Sequence, residues 1–539
     1  MPFPKSLKKE IVLILQNISY THPNRDLLFH NISLRVNNGD KIALIGNNGS
    51  GKSTLLKVIA GELLVSTGQV TMDARPYYVP QIFGQYSHLI IAEALGIEDK
   101  LDALKKIVAG EISDEAYAML DDDWTIEERC QEALKYWQLE DVNLFQKLES
   151  LSGGQKTKVF LAGIFIHQPE LILLDEPSNH LDLSGRQLLY KFIQTTQSTL
   201  IVVSHDRFLL NLLNNICELS KHGITQYGGN YNFYVGQKQL QTDALAQDVQ
   251  NKESALRKAK DKQRETLERQ QRLDSRGKRK QEKAGVATIM MNTLRNNAEN
   301  STAKMKSVHS EKISEISKEL QQSRSSLPDI DTMKFGFDSS SLHKGKILFQ
   351  ARNLNFSYNI QPLWSEPLNF QIASGERIVL KGDNGSGKTT LIKLILGDIA
   401  SNTGTIFRAD IKSVYIDQDY SFIKDKRTVY EQAKHFNTSA LQEHEIKIRL
   451  SRFMFAKEDW DKPCKALSGG EKMRLLLCCL TISNQAPDII VLDEPTNNLD
   501  IQNVEILTNA IMEYKGTIIV VSHDETFLEE INIERIIQL

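Results

Sequence analysis

The chain has few cysteines: Cys130, Cys217, Cys464, Cys478 and Cys479 are the only five among 539 residues, and none forms a CxxC pair. An odd, scattered set excludes a disulfide framework and a structural zinc site, and it fits reduced thiols in the cytoplasm. Long hydrophobic runs are also missing. The apolar run near the start, Ile11 to Leu15, is too short for a signal-peptide core. No stretch approaches the ~18–20 apolar residues of a membrane helix. If the chain served a transporter, the membrane part would lie on another chain. Nor is there a strong overall charge. The formal net charge of -3 names no partner, and 41% apolar with 25% charged residues is ordinary for globular chains. At ~100–200 residues per domain, the length predicts three or four domains.

What is present is a duplication. GNNGSGKS at 46–53 returns as GDNGSGKT at 382–389, and LSGGQ at 151–155 returns as LSGGE at 467–471. LILLDEPSNHLD at 171–182 returns as IIVLDEPTNNLD at 489–500, and VVSHD at 202–206 returns at 520–524. The offset is 337 from Gln81 to Gln418 but 316 from Leu151 to Leu467, so the first copy holds 21 extra residues between those points. Apolar, β-rich runs (KIALIG, LILLD and TLIVVS in the first copy) alternate with helix-compatible segments. That pattern predicts an α/β fold with buried, mostly parallel strands in each copy.

Between the copies lies a different kind of sequence. Gln237 to Arg276 has no Gly or Pro and is rich in strong helix formers. Forty helical residues would span ~60 Å. Gly277 and Gly285 interrupt the run, and Val286 to Leu327 is again free of both breakers. The prediction is two long antiparallel helices with a tip around 277–292, neither with a wide apolar face. The expected division is a first α/β domain over 1–235, a helical linker over 236–345 and a second α/β domain over 346–539. Residues 238–324 hold 20 lysines and arginines against 12 acidic residues, a net of +8, which leaves -11 on the rest. A basic hairpin on an acidic body can dock on RNA phosphates with strong salt dependence. KRK at 278–280 and the apolar run Val286 to Met291 mark the expected tip.

The motifs point to phosphate chemistry. Gly46 to Ser53 and Gly382 to Thr389 fit GxxxxGK[ST], each after an apolar strand and before an apolar helical run. Glycines let backbone N–H groups turn inward on phosphates, and the helix N-terminus adds positive potential. Lys52 and Lys388 would reach the outer phosphates, while Ser53 and Thr389 would hold Mg2+. Asp175 and Asp493 end apolar strands, where a carboxylate reaches Mg2+ through water. Glu176 and Glu494 follow, placed to polarise or orient the attacking water as general base. His205 and His523 follow the next strand as contacts to the terminal phosphate. Gln81 and Gln418 are candidate ligands of Mg2+ or of the attacking water. LSGGQ and LSGGE start helices, with Ser152 or Ser468 followed by Gly153 and Gly154 or Gly469 and Gly470. They form a second anion-binding helix end that makes sense only if it completes the other copy's nucleotide site.

Together these residues resemble the ATP-binding cassette superfamily, over about four-fifths of the chain. Two cassettes in one chain, no membrane segment, a charged helical linker and the endings SNHLD and TNNLD resemble its ABC-F family. The resemblance implies two P-loop NTPase cassettes that close head-to-tail on two ATP with Mg2+ and hydrolyse them. One site would join Lys52, Ser53, Gln81, Asp175, Glu176 and His205 to Ser468, Gly469 and Gly470. The other would join Lys388, Thr389, Gln418, Asp493, Glu494 and His523 to Ser152, Gly153 and Gly154. The phosphate-loop contacts would be Gly46, Asn47, Asn48, Gly49, Ser50, Gly51, Lys52, Ser53 and Thr54 in the first cassette. In the second they would be Gly382, Asp383, Asn384, Gly385, Ser386, Gly387, Lys388, Thr389 and Thr390. Asp182 and Asp500 would couple the sites. Tyr358, 24 residues before Gly382, would lie under adenine, while in the first cassette either Tyr20 or His22 could do so. The second cassette has Asn498 where the first has His180, with no expected consequence.

The resemblance also implies a cytoplasmic monomer, with no membrane and no obligate subunit. It implies action on the ribosome as a translation factor or antibiotic-resistance protein, the linker meeting rRNA and peptidyl-tRNA. The 21 extra residues would be a short arm or none, and a C-terminal DNA-binding extension is not expected. The duplicated ATPase subunit of an importer and a nucleic-acid repair ATPase are the alternatives. The basic linker argues against the first, and the linker's modest length argues against the second.

Overall fold

The computed structural model describes residues 10–22, 27–111, 113–220, 223–284, 288–326, 343–358, 361–383, 385–438, 440–483, 486–497 and 499–539. Asn384, Asn498 and the expected apolar tip residues Val286 and Ala287 therefore lie outside the described residues. The two cassettes, with residues 1–232 and 333–539, cluster as one compact unit, and residues 233–332 form another.

In the first cassette the strands are β1 (Ile11–Thr21), β2 (Leu27–Asn37), β3 (Lys41–Ile45), β4 (Thr67–Met72), β5 (Tyr77–Val79), β6 (Leu171–Asp175), β7 (Thr199–Val203), β8 (Asn215–Ser220) and β9 (Gly223–Tyr227). The helices are α1 (Lys52–Ile59), α2 (Ile91–Ala94), α3 (Glu98–Val108), α4 (Asp114–Leu120), α5 (Ile126–Tyr136), α6 (Gly153–His167), α7 (Leu183–Thr195) and α8 (Arg207–Asn211). A six-stranded sheet runs β5-β6-β7-β3-β8-β9, parallel except for the last pair. β6 and β7 are buried along their whole length. Such strands read as unbroken apolar runs because both faces of a parallel sheet are covered. An antiparallel sheet, β2-β1-β4, packs its Leu13, Leu15, Phe29 and Ile32 with Leu55 and Leu56 of α1 in one core. The parallel sheet thus directs the C-terminal ends of β3, β6 and β7 to one edge, where ligands of such folds bind.

The second cassette repeats the plan. Its strands are β10 (Ile347–Asn355), β11 (Leu368–Ala373), β12 (Arg377–Lys381), β13 (Thr403–Arg408), β14 (Ser413–Ile416), β15 (Ile489–Asp493), β16 (Thr517–Val521) and β17 (Arg535–Gln538). Its helices are α11 (Lys388–Leu396), α12 (Val429–His435), α13 (Glu443–Arg452), α14 (Gly469–Ile482), α15 (Ile501–Glu513) and α16 (Glu525–Glu530). The sheet order β14-β15-β16-β12-β17 is all parallel, and β11-β10-β13 is the antiparallel layer. The extra residues of the first copy build α3 and α4, which bury Leu101, Leu104, Ala116 and Leu120 between them and their surroundings. All five cysteines are buried and unpaired.

The second unit is a helical pair, α9 (Tyr231–Ala284) and α10 (Thr288–Ser326). It is antiparallel. Arg324 meets Glu253, and Ser323 bonds both Lys252 and Asp248 at 2.8 Å. The expected tip at 277–292 is too broad, because α9 continues through Gly277 to Ala284 and α10 starts at Thr288. One glycine costs a helix about 1 kcal/mol relative to alanine, and the flanking Lys, Arg, Gln and Glu offset it. Among the described residues no helix is long and apolar enough to cross a membrane.

Candidate nucleotide site

Each phosphate loop connects the central strand, β3 or β12, to the helix α1 or α11. Gly51 (φ 95°) and Gly387 (φ 94°) cap those helices in the left-handed region. A Cβ on Gly51 would meet Leu28 and Phe29 at 2.8 Å, and one on Gly387 would meet Leu363 at 2.6 Å. Only glycine fits the turn. The lysines fold across their loops: Lys52 Nζ donates to Gly46 O at 2.7 Å, and Lys388 Nζ to Gly382 O at 2.7 Å. Burial lowers the pKa of both ammonium groups, opposed in Lys52 by Glu176, Asp500 and Asp175 and in Lys388 by Glu494, Asp493, Asp383 and Asp182.

Asp175 accepts from Ser53 Oγ at 3.1 Å and from Tyr78 Oη at 3.2 Å, and Asp493 accepts from Tyr415 Oη at 2.8 Å. Burial raises both carboxyl groups above the usual range. The two tyrosines are absent from the sequence-derived site. Their signal was available: both stand three residues before the glutamine, at the same 337 offset.

Glu176 (φ 51°) and Glu494 (φ 49°) both adopt left-handed backbone, an uncommon conformation for glutamate that costs on the order of 1–3 kcal/mol. Their N–H groups donate to Val203 O and Val521 O at 2.8 Å, which holds each turn across the neighbouring strand. Burial pushes Glu176 up to about 8 and Glu494 up to about 7. The same burial pushes His205 down to about 3 and His523 down to about 4. His205 Nε2 lies 3.4 Å from Glu176 Oε1, and His523 Nε2 lies 3.5 Å from Glu494 Oε1. Desolvation disfavours charge on both partners, so burial weakens the ionic character of each contact.

Buried polar atoms without a hydrogen-bond partner collect here: Ser50 Oγ, Glu176 Oε1 and His205 Nδ1 in one cassette, Ser386 Oγ and Glu494 Oε2 in the other. An unmade buried hydrogen bond costs about 1–3 kcal/mol, so these atoms fit a polar ligand. The cassette 1 cavity is about 410 Å³ and is lined by His22, Asn48, Lys52, Ser53, Gln81, Glu176 and His205, among others, together with Ser468 of cassette 2. Asn48 N–H also donates to Asp500 Oδ2 at 2.9 Å, again across the cassettes. The structure thus brings one serine–glycine turn to the opposite phosphate loop.

On the cassette 2 side, the groups from cassette 1 that act on the site are Asp182, which raises Lys388 and His523, and Arg186. Ser152 and Ser468 cap α6 and α14 and accept from Gln155 N–H and Glu471 N–H at 3.3 Å. The hydrogen bonds described for Ser152 stay within its own cap. Gln418 is exposed, two residues beyond β14. Tyr358 is 68% exposed and bonds Thr390 Oγ1 through its hydroxyl at 2.9 Å. Of the two adenine candidates in cassette 1, His22 lines the cavity, whereas Tyr20 packs on the core beside Phe29.

A family model described as ABC transporter matches residues 29–179 and 365–497. The Bacillus subtilis protein YdiF is 31% identical over 530 residues, covering 94% of this chain and 77% of that protein. ABC transporter F family member 5 of Arabidopsis thaliana is 28% identical over 561 residues, covering 97% and 74%. Among solved structures, an archaeal ribosome recycling factor, aABCE1, crystallised with the ribosomal stalk protein aP1, aligns with a TM-score of 0.59. It covers 97% of this chain and 87% of its own at 19% identity, a likeness of fold.

Proposed function

The chain belongs to the ATP-binding cassette family, in its tandem-cassette F type, and hydrolyses ATP; from that premise we propose that its cassettes close head-to-tail on two ATP and that the cycle acts on the ribosome through the basic hairpin. The observation that carries the shared-site reading is Ser468 in the wall of the cassette 1 cavity, with Asn48 bonded to Asp500 beside it.

In this reading the loop N–H groups and Lys52 or Lys388 neutralise the outer phosphates, and the α1 or α11 N-terminus adds its dipole. The serine–glycine turn of the other cassette caps the terminal phosphate, so hydrolysis waits for closure. Glu176 and Glu494 orient the attacking water and take its proton, each held by a strained turn at the end of β6 or β15. His205 and His523 bridge that glutamate to the terminal phosphate. His22 stacks on adenine in cassette 1 and Tyr358 in cassette 2. Among the described residues no group of three His, Cys, Asp or Glu could hold a metal. Ser53, Gln81 and Asp175, and Thr389, Gln418 and Asp493, suit Mg2+ that also rests on phosphate oxygens. When bound, Mg2+ would offset the charge that develops on those oxygens.

The ribosomal reading rests on charge. The 238–324 segment carries +8 and the remainder -11, so the hairpin is the part drawn to RNA phosphate. A cytoplasmic monomer is the form this reading requires. The test is co-sedimentation of the Glu176→Gln, Glu494→Gln double variant. ATP should trap it on ribosomes, and the trapping should weaken steeply with salt. Absence of ATP-dependent enrichment in the ribosome fraction would discard the ribosomal reading.

A further inference from the structure

Cassette 1 ends its DEPSNHLD motif and enters α7 with an arginine, Arg186. The 318-residue offset that relates the motifs places Val504 at the equivalent position of cassette 2. Both side chains are buried, at 7% and 3% exposure. A buried guanidinium needs partners. Arg186 Nε donates to Leu181 O at 3.3 Å, within its own cassette. Its Nη1 crosses the interface and donates, at 3.5 Å, to His523 O of the opposite cassette. Tyr190, which donates to Asp206 Oδ2 at 2.5 Å, lies in hydrogen-bond reach of the same guanidinium and braces it.

We propose that Arg186 is a positioning residue for the cassette 2 site alone, fixing the backbone at His523 from across the interface while cassette 1 has no counterpart. The reasoning is geometric. His523 approaches Glu494 at 3.5 Å, so a shift of the His523 backbone moves the contact that orients the general base. Arg186 also acts on this pair more strongly than Lys388 does, its charge lowering both Glu494 and His523. In cassette 1 that rank belongs to the site's own Lys52. The other cassette lends site 1 an anion, Asp500, and lends site 2 an anion and a cation, Asp182 and Arg186. A valine cannot perform the second task. Two sites with matching motifs are therefore unequal, and hydrolysis at site 2 depends more tightly on closure.

The inference rests on the shared-site reading above, and the experiment separates the two. Single-turnover ATP hydrolysis is measured with full-length protein in two backgrounds: Glu176→Gln, which leaves site 2 competent, and Glu494→Gln, which leaves site 1. Arg186→Met should slow the Glu176→Gln background about tenfold and the Glu494→Gln background less than about twofold, with ATP affinity little changed. Arg186→Lys keeps the charge without the planar fork. It should fold wherever the methionine variant does not, and lose about threefold at site 2 only. Equal losses in both backgrounds, or no loss in either, would overturn the role of Arg186. Ser152→Arg serves as the control. A loss at site 2 with Ser152→Arg but none with either Arg186 variant removes this inference and leaves the shared pocket standing. No loss with Ser152→Arg removes the shared pocket, and Arg186 with it.

Discussion

Among charges, the glutamate–histidine pair of cassette 1 feels most strongly the lysine of its own phosphate loop, whereas the pair of cassette 2 feels most strongly an arginine of the other cassette. The motif residues themselves hardly differ. Strain at the glutamate, the tyrosine on the strand-end aspartate and the lysine folded on its loop recur in both copies. The motif side chains thus keep their contacts in both copies, while the copies differ at Arg186, whose side chain reaches the partner cassette. The lesson is that equivalence of two such sites is decided one layer beyond the motifs.

The largest effect should come from the groups the cassettes share. Replacing both Glu176 and Glu494 by Gln should lower steady-state ATP turnover about 10^3-fold while ATP binding persists, measured by phosphate release and equilibrium dialysis. A second, smaller effect should appear at one site only. Asp500→Ala removes the acceptor of the Asn48 N–H, and should weaken ATP binding in cassette 1 about tenfold with cassette 2 within about twofold. Retained affinity in cassette 1 would show that the Asn48–Asp500 bond does not report closure.

Two further substitutions test where the halves are alike. Gly51→Ala and Gly387→Ala should each cost about 1–3 kcal/mol of folding stability, by urea titration, because both force a Cβ into the left-handed region against packed side chains. A clear difference between the two would mean the loops are not structural copies of one another. The smallest effect should separate the tyrosines. Tyr415→Phe should raise the Mg2+ concentration for half-maximal turnover about threefold, and Tyr78→Phe less, since the hydroxyl–carboxylate distances are 2.8 and 3.2 Å.

The local parts of the site were legible in the sequence because each is a short contiguous motif with a fixed strand–loop–helix context. Gly46 to Ser53, Asp175 with Glu176, and His205 all occupy the strand ends their patterns imply. What was not legible joins residues far apart. The Arg186–His523 bond spans 337 positions and no periodicity announces it, whereas Asp500 as a link between the sites came only through the family resemblance, its bond to Asn48 spanning 452. The Arg207–Glu530 ion pair, at 2.6 Å across the cassettes, is of the same kind. The choice between Tyr20 and His22 was closed to counting because β1 and β2 pair with irregular register near Tyr20, which turns that ring onto the core. Gly277 shows the reverse error: a single breaker was given more weight than the long run of helix formers around it.

The exchange of serine–glycine turns between cassettes is most directly tested by photolabelling with azido-ATP, followed by cleavage in the linker to separate the cassettes. Ser468→Arg should abolish label on cassette 1 and spare cassette 2, and Ser152→Arg should do the opposite. Label lost instead from the cassette that carries the substitution would contradict the account.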